Sequence, residues 1–406
     1  MSDCNEDAPP AKKSRLSAPE EDKKPVVEAE AEVPASTLYG TGLLDLPDSL
    51  ILLTFSYLPL PYDRFGVGGS CRRLRKINCD YSLWEEVNLA SAKHMPMPLR
   101  SLKRCVGYLC DRTRSLSIRG FLKTRFRDRI NVSHSLFETI SQKCPRLERL
   151  TLTECRVDRT ALPNEYLPSS LTDLSLAQSE FVNAPSKDSW FGSIHVRLSH
   201  LKTLDLSGCQ WMSNHCLMAL CKIEQLESLS LQGCFRIGEA FAYTALSCRF
   251  GFRKLKHVDL RDTNSGQNEL NSFGRLPELV SMKLGRTAAE AEVEQPDQCE
   301  SDGVISDREL QNLMNAGVSD HLKELTITHC PGVTNRISTM LATRLMLNKL
   351  DVQGTKFRLS GANTITKRRP DCQIVLDPLP LEEGEEEAPV IMPDSGNQII
   401  IIQQQH

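Results

Sequence analysis

With 406 residues, 40% of them hydrophobic and 25% charged, the chain can bury a sizeable core and is long enough for more than one structural unit. A formal net charge of −3 gives no global attraction to nucleic acid or to an anionic membrane surface, which leaves protein as the expected class of partner. Fifteen cysteines, an odd number in a large chain with no basic-then-apolar leader at its start, point to reduced and mostly buried thiols in an intracellular protein of the nucleus or cytoplasm.

Residues 1–40 are rich in Pro, Ala, Glu and Lys and poor in large apolar groups, so they are expected to form a disordered arm. Within it PPAKKSRL, followed by Lys23 and Lys24, reads either as a nuclear-import cluster or as a solvated patch of charge. Residues 41–90 open on the greasiest stretch of the chain, LLDLPDSLILLTFSYL, which Asp45, Asp48 and Ser49 interrupt well short of a membrane span. Pro47, Asp48 and Ser49 suit the start of a helix and Pro59 ends it, predicting about three turns. That helix carries Leu50, Ile51, Leu52, Leu53, Phe55, Tyr57 and Leu58, more apolar side chains than one stripe can hold. A unit of this size buries too little surface to cover them, so part of the helix is expected to meet the neighbouring repeats and part another protein.

From residue 91 to 376 one frame recurs, apolar at positions one, four and six and small at nine. Its eight copies begin at Leu147, Leu171, Leu201, Leu226, Leu255, Leu279, Leu322 and Leu347, with steps of 24, 30, 25, 29, 24, 43 and 25. A weaker copy, Leu116 and Ile118, precedes them. Positions four and six fall on one face of a short strand, and the residues that follow have helical spacing, as in Leu217, Leu220 and Cys221. One such unit cannot bury its own apolar face, but a stack can. The expected fold is therefore α/β: a small helical module, then a curved leucine-rich-repeat solenoid with a parallel sheet on its concave face and helices on its convex face. Copies such as LSGCQWMSNHCLMAL resemble the cysteine-containing leucine-rich-repeat subfamily. The ninth position, Cys155, Cys209, Cys234 and Cys330 in four copies and Ser or Thr in the rest, fits a tight turn where a small side chain can hydrogen-bond the backbone.

The polar residues between the leucines should lie on the open sheet face, where Arg149, Asp205, His257, Asp259, Arg261 and Lys283 are candidate substrate-binding residues. Cations and anions are about balanced there, which argues against a groove that tracks phosphates. The 43-residue step holds an acidic insertion at about 287–308, a candidate binding or regulatory loop. RGFLKTRFRDR, at 119–129, basic with Phe121 and Phe126 interleaved, reads either as a second candidate binding loop or as a basic loop facing water. Residues 377–406 form an acidic tail that ends in four isoleucines and a run of glutamines; Ile399 to Ile402 could dock on the body. No Cys-x-x-Cys, His-Glu-x-x-His, phosphate loop or dinucleotide fingerprint is present, so no catalytic residue, metal site or cofactor is expected.

Leu46-Pro47, Leu50, Phe55, Leu58-Pro59, Asp63, Cys71-Arg72-Arg73, Leu83-Trp84 and Val87 together resemble the F-box motif over its whole length. The chain from about 43 to 376 is thus similar to the F-box/leucine-rich-repeat family. That resemblance implies that Leu46, Pro47, Leu50, Phe55, Leu58 and Trp84 form or support a surface for a Skp-type adaptor. The adaptor would tie the chain to a cullin scaffold and a RING-bound ubiquitin-conjugating enzyme, while the repeats hold a protein substrate for ubiquitination and degradation. The alternative is a non-catalytic binding scaffold or inhibitor that uses the repeats alone. The sequence departs from the motif in one extra residue between Leu58 and Cys71, in Gly66, Gly68 and Gly69 where helix is expected, and in Leu74 where an aromatic residue is common. These departures bear on how tightly the adaptor would be held.

Overall fold

A computed structural model describes residues 42–58, 61–90, 99–124, 133–158, 166–182, 190–288, 305–318, 320–377 and 399–401. The chain divides into two units, residues 1–46 and 47–406. Of the first, only Gly42 to Leu46 is described: a 3-10 turn over Leu43–Asp45, with the Gly42 N–H donating to Asp45 Oδ2 at 2.7 Å and Leu43 and Leu44 exposed.

The second unit begins with three helices, α1 (Asp48–Ser56), α2 (Pro61–Ser70) and α3 (Arg72–Asn78), and a 3-10 turn over Tyr81–Trp84. Pro47 caps α1, its carbonyl accepting from the N–H groups of Leu50 and Ile51. The glycine-rich segment is helical after all. Gly68 has a packing reason to be there, because a Cβ at that position would lie 3.1 Å from Asn78 Cβ on α3. No such crowding surrounds Gly66 or Gly69, where the helix carries the usual cost of about 1 kcal/mol each.

The strands are β1 (Glu86–Asn88), β2 (Ser115–Arg119), β3 (Arg149–Thr153), β4 (Arg156–Asp158), β5 (Asp173–Ser175), β6 (Glu180–Val182), β7 (Thr203–Asp205), β8 (Ser228–Ser230), β9 (His257–Asp259), β10 (Ser281–Gly285), β11 (Glu324–Thr328), β12 (Lys349–Asp351), β13 (Gln373–Leu376) and β14 (Ile399–Ile401). Twelve of them form one parallel sheet in chain order, with β4 and β6 paired apart. The register is uniform: Val87, Leu116, Leu150, Leu174, Leu204, Leu229, Val258, Met282, Leu325, Leu350, Ile374 and Ile399 stand opposite one another from end to end. From Val87 to Ile374 every member of that row is at most 2% exposed. The row therefore buries a continuous core as the repeat pattern requires.

Helices fill most of the crossovers: α4 (Leu99–Tyr108), α5 (His134–Lys143), α6 (Ile194–Arg197), α7 (Asn214–Leu220), α8 (Phe241–Phe250), α9 (Gln267–Gly274), α10 (Asp307–Asn315), α11 (Ser338–Arg344) and α12 (Leu359–Thr366). Two repeats differ from the strand-then-helix expectation. The described residues after β3 and β5 carry β4 and β6, which pair Arg156–Glu180, Val157–Phe181 and Asp158–Val182. The Phe181 ring meets Trp190 and Trp211 there, at centroid distances of 5.1 and 4.7 Å.

The small ninth residue does make a backbone ladder. Ser179 Oγ donates to the Leu152 carbonyl at 2.8 Å, Cys209 Sγ to that of Leu176 at 3.1 Å and Cys234 Sγ to that of Leu206 at 3.1 Å, each reaching the preceding repeat. Thr263 and Thr355 instead donate within their own turns, to Leu260 and Val352. Just before it, the eighth residue is left-handed in most copies, with φ between 52° and 69° at Glu154, Gln178, Gly208, Gly233, Asp262, His329 and Gly354.

Candidate functional site

Helix α1 is apolar on more than one face, and the fold covers only part of it. Ile51 and Phe55, four residues apart, share the inner face at 0% and 1% exposure. On the outer side Leu50, Leu53 and Tyr57 are 46%, 51% and 79% exposed. Their spacing of three and then four residues puts them in one stripe. A row of large, partly exposed apolar side chains on a sealed backing makes this side of α1 the candidate docking surface.

The backing is built around Trp84, fully buried at the end of the 3-10 turn. Its ring stacks on Tyr108 and Phe65 at centroid distances of 4.8 and 5.8 Å, and its indole N–H donates to the Asn78 carbonyl at 2.7 Å. The Trp84 carbonyl in turn accepts from Thr113 Oγ1 at 2.8 Å, which ties the helical module to the sheet. Asp48 at the start of α1 pairs with Arg73 on α3 at 2.7 Å, an exposed pair of small energetic weight.

Of the residues that the motif assigns to the adaptor surface, Pro47 and Leu50 are exposed and Leu58 is half-buried. Phe55 and Trp84 are buried, so any part they play is support from beneath. Leu46 is half-buried and belongs to the first unit. Leu53 and Tyr57 were not singled out from the sequence, although their spacing from Leu50 was the signal that could have found them.

The open sheet face separates its six candidates into three places. Arg149 and His257 stand in one register row, but Arg149 pairs with Glu86 on β1 and is far along the row from His257. Asp205 accepts from Ser175 Oγ at 2.9 Å and from the Ser207 N–H at 3.0 Å, within a chain of hydroxyls that continues from Ser207 to Ser230 at 2.8 Å. Asp259, Arg261 and Lys283 do come together. Arg261 donates to both Asp259 oxygens, from Nε at 3.0 Å and Nη2 at 2.6 Å, and Lys283 Nζ lies 4.0 Å from the same carboxylate. The hydrogen bond to Asp259 raises the Arg261 pKa above its ordinary value. Much of this charge is thus already engaged within the chain, and His257 and Lys283 remain the exposed members of the group.

In the basic segment, Phe121 is buried and Arg119 pairs with Glu154 at 2.9 Å, while Phe126 lies outside the described residues. So do residues 289–304 of the acidic insertion, which rejoins the body at α10 through a capping box between Ser306 and Glu309. The ladder thiols are poor nucleophiles: burial pushes Cys234 up to about 12 and Cys330 up to about 11. Among the described residues no group of three or more His, Cys, Asp or Glu is placed to hold a metal, and no helix is long and apolar enough to cross a membrane.

Residues 43–90 match the F-box-like family. F-box/LRR-repeat protein 12 of Homo sapiens is 31% identical over 202 residues, covering 48% of this chain and 58% of the relative. Its Mus musculus counterpart is 30% identical over 197 residues, again 48% and 58%. The chain thus spans less than two thirds of the length of these curated relatives. Among solved structures, an internalin (inlF) from Listeria monocytogenes str. 4b F2365 aligns at 13% identity over 71% of this chain and 92% of that one, with a TM-score of 0.34, too low to add to the fold described above. A helical region that matches the F-box-like family, followed by a parallel repeat sheet with helices in its crossovers, makes the chain similar to the F-box/LRR-repeat relatives over about half of its length.

Proposed function

We propose that this protein is the substrate-recognition subunit of a Skp-cullin-F-box ubiquitin ligase. The observation that carries the proposal is the exposed stripe of Leu50, Leu53 and Tyr57 on a helix whose opposite face is sealed by Ile51 and Phe55. A Skp-type adaptor would cover that stripe, with Pro47 and Leu58 at its margin. Phe55 and Trp84 would hold the surface rigid from within.

The chain would make no bond itself. The adaptor, cullin and RING subunit would bring the loaded conjugating enzyme, and the repeats would hold a protein substrate so that its lysines meet the thioester at high effective concentration. Substrate would lie on the open sheet face, with Arg149, Asp205, His257, Asp259, Arg261 and Lys283 as the residues to test and the acidic insertion beside them in rank. In this reading residues 1–40 are an arm, 41–90 the F-box, 91–376 the array and 377–406 a tail, and the protein works in the nucleus, the cytoplasm or both.

The test is recovery of the complex from cells. The tagged wild-type chain should bring down adaptor and cullin together, and the Leu50→Arg, Leu53→Arg double variant should bring down neither while keeping its thermal unfolding temperature. A wild-type chain that recovers no adaptor would leave the repeats as a scaffold or inhibitor without a ligase role.

A further inference from the structure

The C-terminal isoleucines join the sheet as its last strand. Ile399, Ile400 and Ile401 of β14 pair in parallel with Ile374, Val375 and Leu376 of β13. Ile399 thereby stands in the same register row as the core leucines, from Leu150 to Leu350. β14 lacks the repeat frame and is separated from β13 by an acidic stretch, yet it takes the position that a further repeat would occupy.

The edge it covers has a need for cover. Gln373 N–H donates to Asn348, and the Val375 carbonyl accepts from Val352, both on the β12 side. A parallel strand alternates the direction of successive residues, so the peptide groups of Ile374 and Leu376 turn to the other edge, where β14 lies. Ile374, Val375 and Leu376 are 0%, 6% and 4% exposed. Without β14, a parallel edge formed by these three aliphatic residues would be a template for any extended apolar segment.

We infer that the outer edge of β13 is a strand-acceptor site for an extended, β-branched aliphatic segment, and that Ile399–Ile401 is its ligand in cis, closing the end of the array in place of a terminal repeat.

Hydrogen exchange of the full chain tests this. In the wild type the Ile374 and Leu376 amides should be protected. In Ile400→Pro, which removes a donor and forces the strand off the ladder, and in the Ile399→Asp, Ile401→Asp double variant, they should exchange at least about tenfold faster. A peptide of residues 396–405 added to either variant should restore protection at those two amides. Equal protection in wild type and both variants would overturn the assignment. So would loss of protection that spreads to Met282 and Leu325 in the middle of the sheet, since a strand that caps an edge leaves the middle in place. Failure of the peptide to restore protection would rule out an acceptor site.

Discussion

The indole N–H of Trp84 reaches the main-chain carbonyl of Asn78 across six residues, at 2.7 Å, and so locks the 3-10 turn against the end of α3. Because the ring is fully buried between Phe65 and Tyr108, Trp84→Ala should cost roughly 3–5 kcal/mol. Trp84→Phe keeps most of the packing but strands the Asn78 carbonyl, at a cost of about 1–3 kcal/mol. Denaturant unfolding of the two variants would separate the contributions, and undiminished stability in Trp84→Phe would show that the hydrogen bond adds nothing.

Asp205 and His257 make a useful contrast on the sheet face. Asp205 accepts from Ser175 and Ser207, so Asp205→Ala should destabilise by about 1 kcal/mol or more and is not a neutral reporter of binding. His257 is exposed, and His257→Ala should stay within about ±0.5 kcal/mol. Loss of a captured substrate in the His257 variant, with an unchanged melting temperature, would place the binding surface on this face; unchanged capture for His257→Ala and Lys283→Ala alike would move it to the insertion.

Gly354 follows the eighth-position rule under the tightest conditions. It has φ +69°, and a Cβ there would lie 2.4 Å from His329 Nδ1 and 2.7 Å from His329 Cα in the neighbouring repeat. Gly354→Ala should therefore cost more than the roughly 1–2 kcal/mol of left-handed strain alone. Gly233→Ala, whose Cβ would meet only the Gly208 backbone at 3.5 Å, should cost no more than that strain. Thermal unfolding of the two would show whether the difference comes from the neighbouring repeat.

Thiol labelling should sort the cysteines by their place in the fold. Among the described cysteines Cys79 is the exposed one and should react before the others with an alkylating reagent at pH 8. Cys209 and Cys234 are sealed and hydrogen-bonded to the preceding repeat, and burial raises both thiols, Cys234 to about 12. They should stay unlabelled until the chain is unfolded. Labelling of Cys234 at the rate of Cys79 in the folded protein would mean that the ladder opens in solution.

The repeat array was legible because leucine at positions one, four and six fixes both strand and register. The same pattern begins and ends where the leucine at position one is replaced: Trp84 precedes Val87 and Leu89, Thr113 precedes Leu116 and Ile118, and Asp371 precedes Ile374 and Leu376. Those rows join the sheet through pairing with their neighbours, which spacing alone does not reveal. β14 was further hidden, since a run of four isoleucines has no period to match. On α1 the sequence showed a helix too greasy for one face. Which side was covered depended on α3 and the Tyr81–Trp84 turn packing against it, and only the fold distinguishes Leu50 from Ile51.

The central claim is that the outer side of α1 is completed by an outside subunit, and the affinity of the full chain for a purified Skp-type adaptor tests it most directly. Titration calorimetry should give saturable one-to-one binding for the wild type, and at least about a hundredfold weaker binding for Leu50→Arg, equivalent to some 2.7 kcal/mol. The fold of that variant should be intact, since Leu50 lies in water. Binding of equal strength in wild type and Leu50→Arg would contradict the account.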